Sequence, residues 1–157
     1  MKTVEITVYN FDELTDTAKE KAREWYRDGL EYPWFCESID SIRAFVNHFG
    51  VRLTNWSLGG CGSYIHTNAT NANFRGVKLA DIDRDYMPTG FCFDCDLWQE
   101  FYDQFKQTGD AKYSFEQALE AAIREIQRDI DHYFSDECVD EMLMVNDYQF
   151  TENGKIF

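Results

Sequence analysis

Apolar and polar residues alternate over residues 3–9, with Val4, Ile6 and Val8 set against Glu5, Thr7 and Tyr9. A period of two predicts a strand with one buried face. The period then lengthens. Thr15 offers an N-cap oxygen to a helix over residues 16–30, whose apolar stripe is Ala18, Ala22, Trp25 and Gly29 or Leu30. After Pro33 a second helix is expected over residues 34–49, carrying Phe35, Ile39, Ile42, Val46 and Phe49. Gly50 suits its end, because glycine enters the left-handed conformation without a Cβ penalty. Alternation returns over residues 51–58, and Gly59-Gly60-Cys61-Gly62 turns the chain into residues 63–67, which predicts a hairpin. Residues 68–73 are polar and turn-prone, and residues 74–79 fit a further short strand.

Residues 80–93 lack a period and read as an exposed loop. A third helix is expected from Asp96 to about residue 107, with Asp96 and Gln99 as a capping box and Leu97, Phe101 and Phe105 as its buried stripe beside Trp98 and Tyr102. Ser114 and Gln117 repeat that signature before the longest helix, residues 115–134, striped by Phe115, Leu119, Ala122, Ile123, Ile126, Ile130 and Phe134. Ser135 caps one more short helix through Met144. Residues 148–150 and 155–157 flank Asn153-Gly154, a pair that favours a type I′ hairpin.

Strands toward both ends with helices mostly between them define an α+β fold. We expect a small antiparallel sheet (N-terminal strand, central hairpin, C-terminal hairpin) packed with four to five helices in a single domain over residues 1–157. An apolar fraction of 44%, of which much is aromatic, is enough for a core despite a net charge of -14. No apolar run approaches the roughly 20 residues needed to cross a bilayer. The N-terminus has no charged segment followed by an apolar one, so a cytoplasmic location is expected. The cysteines Cys36, Cys61, Cys92, Cys95 and Cys138 are then expected to be reduced thiols.

Charge changes the picture most. Residues 1–80 hold 10 Asp and Glu against 9 Lys and Arg, whereas residues 81–157 hold 19 against 6. Such a field repels phosphate backbones and steers association with basic surfaces. Direct nucleic-acid binding is not expected, since it needs clustered cations. Asp96, Glu100 and Asp103 share a helix face one turn apart, about 5–6 Å from each other. Asp136, Glu137, Asp140 and Glu141 form a second acidic cluster, part of which a helix N-terminus favours anyway. Lys19, Arg23 and Arg27 form a basic stripe, read as a solvated face or a local ion-pair surface. The bland alternative for the acidic half is a solvated surface that keeps the chain soluble.

Candidate chemistry is sparse. Cys92 and Cys95 form a CxxC, for which the readings are structural thiols, a redox pair, or a zinc site completed by Cys61 and His66. Asp81, Asp83 and Asp85 copy the opening of a calcium loop, but the required Gly and Glu positions hold Tyr86 and Cys92. These three aspartates remain candidates to contact a basic partner. Neither a zinc-protease motif nor a nucleophile elbow nor a phosphate-cradling loop is present, and His48, His66 and His132 are scattered. No catalytic residue, cofactor or metal is therefore assigned.

Two segments carry a resemblance. The opening Tyr9-Asn10-Phe11-Asp12-Glu13-Leu14-Thr15 with residues 18–27, and the closing residues 146–157, resemble a family of small acidic bacteriophage and prophage proteins without an assigned function. The resemblance covers the two ends and not the middle, and it transfers no catalytic residue. It implies a phage accessory protein; by analogy, small acidic phage proteins often inhibit host defence, CRISPR effectors and restriction enzymes among them. The expected function is a non-enzymatic inhibitor that blocks the basic nucleic-acid channel of a host protein or ribonucleoprotein complex. Its carboxylates would come from residues 81–103 and 136–141. The alternatives are an antitoxin-like partner of a basic toxin, a zinc-stabilised regulatory domain, and a small hydrolase or transferase with His66 or His132 beside a carboxylate pair in a deep pocket.

Overall fold

The helix signals are realised closely in a computed structural model that describes residues 5–59 and 62–157. The fold is α+β: five helices with two small antiparallel sheets. Helix α1 is Asp16–Asp28, with the Thr15 hydroxyl accepting the Ala18 N–H. Helix α2 is Phe35–His48, followed by Gly50 at φ +65. Val51 N–H donates to Val46 O and Gly50 N–H to Asn47 O, the paired bonds of a Schellman ending. Helix α3 is Phe93–Thr108, α4 is Ala111–Tyr133 and α5 is Asp136–Val145. The Ser135 hydroxyl accepts the Cys138 N–H at the start of α5.

Two compact units form, one from Met1–Tyr32 with Ile130–Phe157 and one from Pro33–Asp129. In the first, strand β1 (Tyr9–Asn10) pairs antiparallel with the last strand, Gln149–Phe150, in the register Tyr9 to Phe150. Phe11, Leu14, Ala18, Ala22, Val139, Leu143 and Phe150 are its core. In the second, β2 (Leu53–Ser57) and β3 (Tyr64–Thr67) form the central hairpin, with a bulge between Leu53 and Asn55. The core of this unit is aromatic: Phe45 stacks on Phe115 and meets the edges of Trp98 and Phe101. The last strand in chain order is β4 (Gln149–Phe150), so the strands divide between two ladders, not the one sheet expected.

Other expectations need correction. The N-terminal strand shrinks to two residues, and Ile6 is 56% exposed, so alternation over residues 5–8 buries no face; Val4, like the turn residues Gly60 and Cys61, lies outside the described residues. Residues 74–79 form no strand; a 3₁₀ turn, Asn71–Phe74, buries Phe74 instead. Helix α3 starts three residues before Asp96, so Asp96 and Gln99 are not a capping box. Helix α4 starts at Ala111, where the Asp110 carboxylate accepts the Tyr113 N–H, and the buried Ser114 hydroxyl donates to Asp110 O. The C-terminal turn is not type I′, which needs positive φ at both central residues. Gly154 N–H donates to Thr151 O, and Gly154 adopts φ +81 while Asn153 does not have positive φ.

Candidate functional site

The loop over residues 82–91 is tied at its end to two helices. Gly90 (φ +79) lets the chain turn into α3, and Asp94, 1% exposed, reaches back with Oδ2 to accept both the N–H and the hydroxyl of Thr89. The Thr89 hydroxyl also contacts that of the buried Ser41 on α2, at 3.2 Å. Asp94 thus ties the aspartate loop to two helices. It was missed in the sequence, because nothing in its spacing separates it from the surface acids beside it. Asp94 Oδ1 and Trp98 Nε1 are buried without a hydrogen-bond partner among the described residues; leaving such groups unpaired costs about 1–3 kcal/mol each.

Helices α3 and α4 leave a groove of about 260 Å³ between them. Its floor is apolar, from Phe93 and Leu97 on α3 and Ala118 and Ala122 on α4. Its rim is anionic: Asp96 and Glu100 on one side, Glu125 on the other. Partial burial pushes the Asp96 carboxyl above the ordinary carboxylate range, and the charges of Glu125 and then Asp129 raise it further. No Lys or Arg pairs with Asp96, Glu100 or Asp103 among the described residues. Glutamine amides orient two of them: Gln104 Nε2 donates to Glu100 and Gln99 Nε2 to Asp103, each at 3.0 Å. Glu125 is paired with Arg128 on its own helix. Glu125 was overlooked in the sequence. The available signal was its place one turn beyond Ala121 and two beyond Ala118, on the face where small side chains leave room.

The raised Asp96 makes a prediction about stability. A carboxyl whose folded value lies above its ordinary one binds more protons native than unfolded, so stability falls as pH climbs through that window. Asp96→Asn removes the effect. It should stabilise the protein slightly at pH 7, within the roughly 0.5 kcal/mol usual for surface substitutions, and do nothing at about pH 3, below the ordinary and the raised value alike. Urea midpoints at the two pH values check this; an equal shift at both would point to a contact other than charge.

Of the remaining named acids, Asp81, Asp83 and Asp85 are exposed on the loop before α3. Asp83 Oδ1 accepts the Asp85 N–H, and Arg84 lies over the Tyr102 ring. Burial raises the Cys95 thiol, and Asp85, Asp96, Asp94 and Cys92 raise it further, so loop and helix charges act on one point. A thiol held up in this way is a poor nucleophile and a poor metal ligand. Cys92 and His66 are exposed, Cys61 lies outside the described residues, and among those described no three His, Cys, Asp or Glu come together to hold a metal. His66 packs against Tyr64, and His48 against Phe49 and Trp98. Neither His66 nor His132 lines the groove.

The second acidic cluster behaves differently. Arg23 forks onto Asp140, Nε to Oδ1 at 2.6 Å and Nη2 to Oδ2 at 2.7 Å. Arg27 pairs with Asp136 and donates from Nε to Phe134 O at the end of α4; Glu20 joins both arginines. The basic stripe of α1 is therefore an ion-pair surface. Asp136 and Asp140, expected to meet a partner, are committed to arginines of their own unit, while Glu137 and Glu141 stay exposed. The contrast between the chain halves also fades. The unit containing both termini holds 15 Asp and Glu against 6 Lys and Arg, the other 14 against 9, so both are acidic.

Comparison with family models, with curated proteins and with solved structures found no match. Among the described residues no helix is long and apolar enough to cross a membrane.

Proposed function

We infer that the chain is a non-enzymatic binding protein of phage type that uses the α3 face to occupy a basic nucleic-acid channel of a host defence complex, such as a CRISPR effector. One observation carries this reading: Asp96, Glu100 and Asp103 stand along one helix with no Lys or Arg paired to them among the described residues, and burial together with the charges of Glu125 and Asp129 disfavours the ionised Asp96, a cost that an external cation would offset. Asp81, Asp83 and Asp85 extend the same charge on the preceding loop. Asp136 and Asp140 leave the set of contacting residues, because their charge is already met.

The test is capture from host lysate with the wild-type chain and the triple variant Asp96→Lys, Glu100→Lys and Asp103→Lys, at low and high salt. A nucleic-acid-handling complex should be retained at low salt and released at high salt. The triple variant should hold it at least about tenfold more weakly, a loss of roughly 1.4 kcal/mol. Capture that ignores both salt and the three substitutions would sink the reading.

A further inference from the structure

The unit containing both termini carries a second cavity, of opposite character to the α3 groove. It has a volume of about 230 Å³ and lies where the C-terminal hairpin meets α1, lined by Lys21, Trp25, Asn153, Gly154, Lys155 and Ile156. Its polar side chains are mostly donors. Lys21 and Lys155 bring ammonium groups, neither of them paired with a carboxylate among the described residues. Asn153 accepts the Thr151 hydroxyl at its oxygen at 2.7 Å and keeps its amide hydrogens to give. Trp25, a residue 38% exposed, contributes an indole N–H and its ring. That ring is held by edge contacts with Tyr148 and Phe150, so it is a fixed wall. Glu24 and Glu152, chain neighbours of Trp25 and Asn153, are exposed and do not line the cavity.

A cavity lined by two lysines and no carboxylate, in the more acidic of the two units, is built against the grain of its surroundings. Solubility explains surface acids but not two lysines, an amide donor and an aromatic wall converging on one space. Two ammonium groups match a dianion better than a carboxylate, which carries one charge; lysine serves such groups as a point charge. A fixed indole face suits a flat ring, and base stacking on an aromatic side chain is worth about 1–3 kcal/mol. We propose that this cavity binds a nucleoside 5′-monophosphate, its phosphate between Lys21 and Lys155 and its base against Trp25. The site is independent of the α3 face and of the partner that face engages.

Calorimetry with the full chain at pH 7.5, where the phosphate is doubly charged, tests this with three probes: AMP, adenosine and inorganic phosphate. AMP should bind at least about tenfold more tightly than either fragment, since it alone satisfies both halves of the cavity. The double variant Lys21→Gln and Lys155→Gln should lose AMP binding by at least about tenfold with its melting temperature unchanged, both lysines being exposed. Trp25→Phe, which keeps an aromatic against Tyr148, should weaken AMP and leave inorganic phosphate alone. Adenosine binding as tightly as AMP, AMP binding no tighter than phosphate, or full AMP binding by the double variant would each overturn the assignment. None of these outcomes bears on capture through Asp96, Glu100 and Asp103.

Discussion

Gly154→Ala is expected to destabilise the protein by roughly 3 kcal/mol or more, the largest effect of any single methyl group added among the described glycines. Two independent penalties meet there. Gly154 sits at φ +81, a left-handed conformation that costs an L-residue about 1–2 kcal/mol. A Cβ would also lie 2.1 Å from Ala18 O and 2.8 Å from its carbonyl carbon. Those are backbone atoms in the first turn of α1, so the clash cannot be relieved by a side-chain rotation. The hairpin must lift away, and overpacking of this kind adds about 1–3 kcal/mol. Gly109→Ala separates the two penalties: φ is +69, but nothing lies within 4 Å of the added carbon. It should therefore cost only about 1–2 kcal/mol. Chemical denaturation of both variants decides the matter; equal losses would mean that the hairpin does not rest on the α1 backbone.

Asp140→Ala follows, with an expected loss of about 2–4 kcal/mol. Arg23 keeps only 18% of its side chain exposed, and its guanidinium is matched to Asp140 by two parallel bonds. Removing the carboxylate leaves the half-buried guanidinium with only its contacts to the more exposed Glu20 and Asp136, which is costlier than removing the whole pair. Arg23→Met together with Asp140→Leu should accordingly recover most of the loss. Asp136→Ala, at a carboxylate whose side chain is 60% exposed, should cost less than about 1 kcal/mol. Hydrogen bonding to Asp140, opposed in part by burial, holds the Arg23 guanidinium above its ordinary range, with Glu20 and Asp136 adding to it. A base raised in this way contributes stability that is whole below its unfolded value and lost only as pH rises through the folded one. For arginine that window lies far in the alkaline range, so Arg23's own titration should give no stability change between about pH 6 and 9. A double-mutant cycle showing no coupling between Arg23 and Asp140 would refute the account.

Local signals were legible wherever one side chain and its own backbone settle the outcome. Thr15 and Ser135 cap the helices they were expected to cap, because an N-cap bond spans three residues and needs nothing else. Gly50 ends α2 for the same reason. The errors at α3 and α4 share a cause: Asp96-Gln99 and Ser114-Gln117 have capping-box spacing, yet helix continuation three residues upstream buries Phe93 in one case and Ala111 in the other. Burial outweighs a cap worth about 1 kcal/mol. Alternation over residues 5–8 misled for the converse reason, since a period of two describes a strand only where a second strand lies alongside.

The site divides along the same line. The sequence by itself determined the inventory: an α+β chain with a net charge of -14, a run of carboxylates on the third helix, and a short basic stripe on the first. Only the tertiary structure decided which charges cancel. Arg23 and Asp140 are 117 residues apart in the chain and 2.6 Å apart in space, whereas Asp96 and Glu100 line a groove with no Lys or Arg paired to either among the described residues. Periodicity reports which face of a helix a residue occupies, but it is blind to what that face meets. Charge compensation is a property of pairs brought together by the core, and no spacing along one helix encodes it.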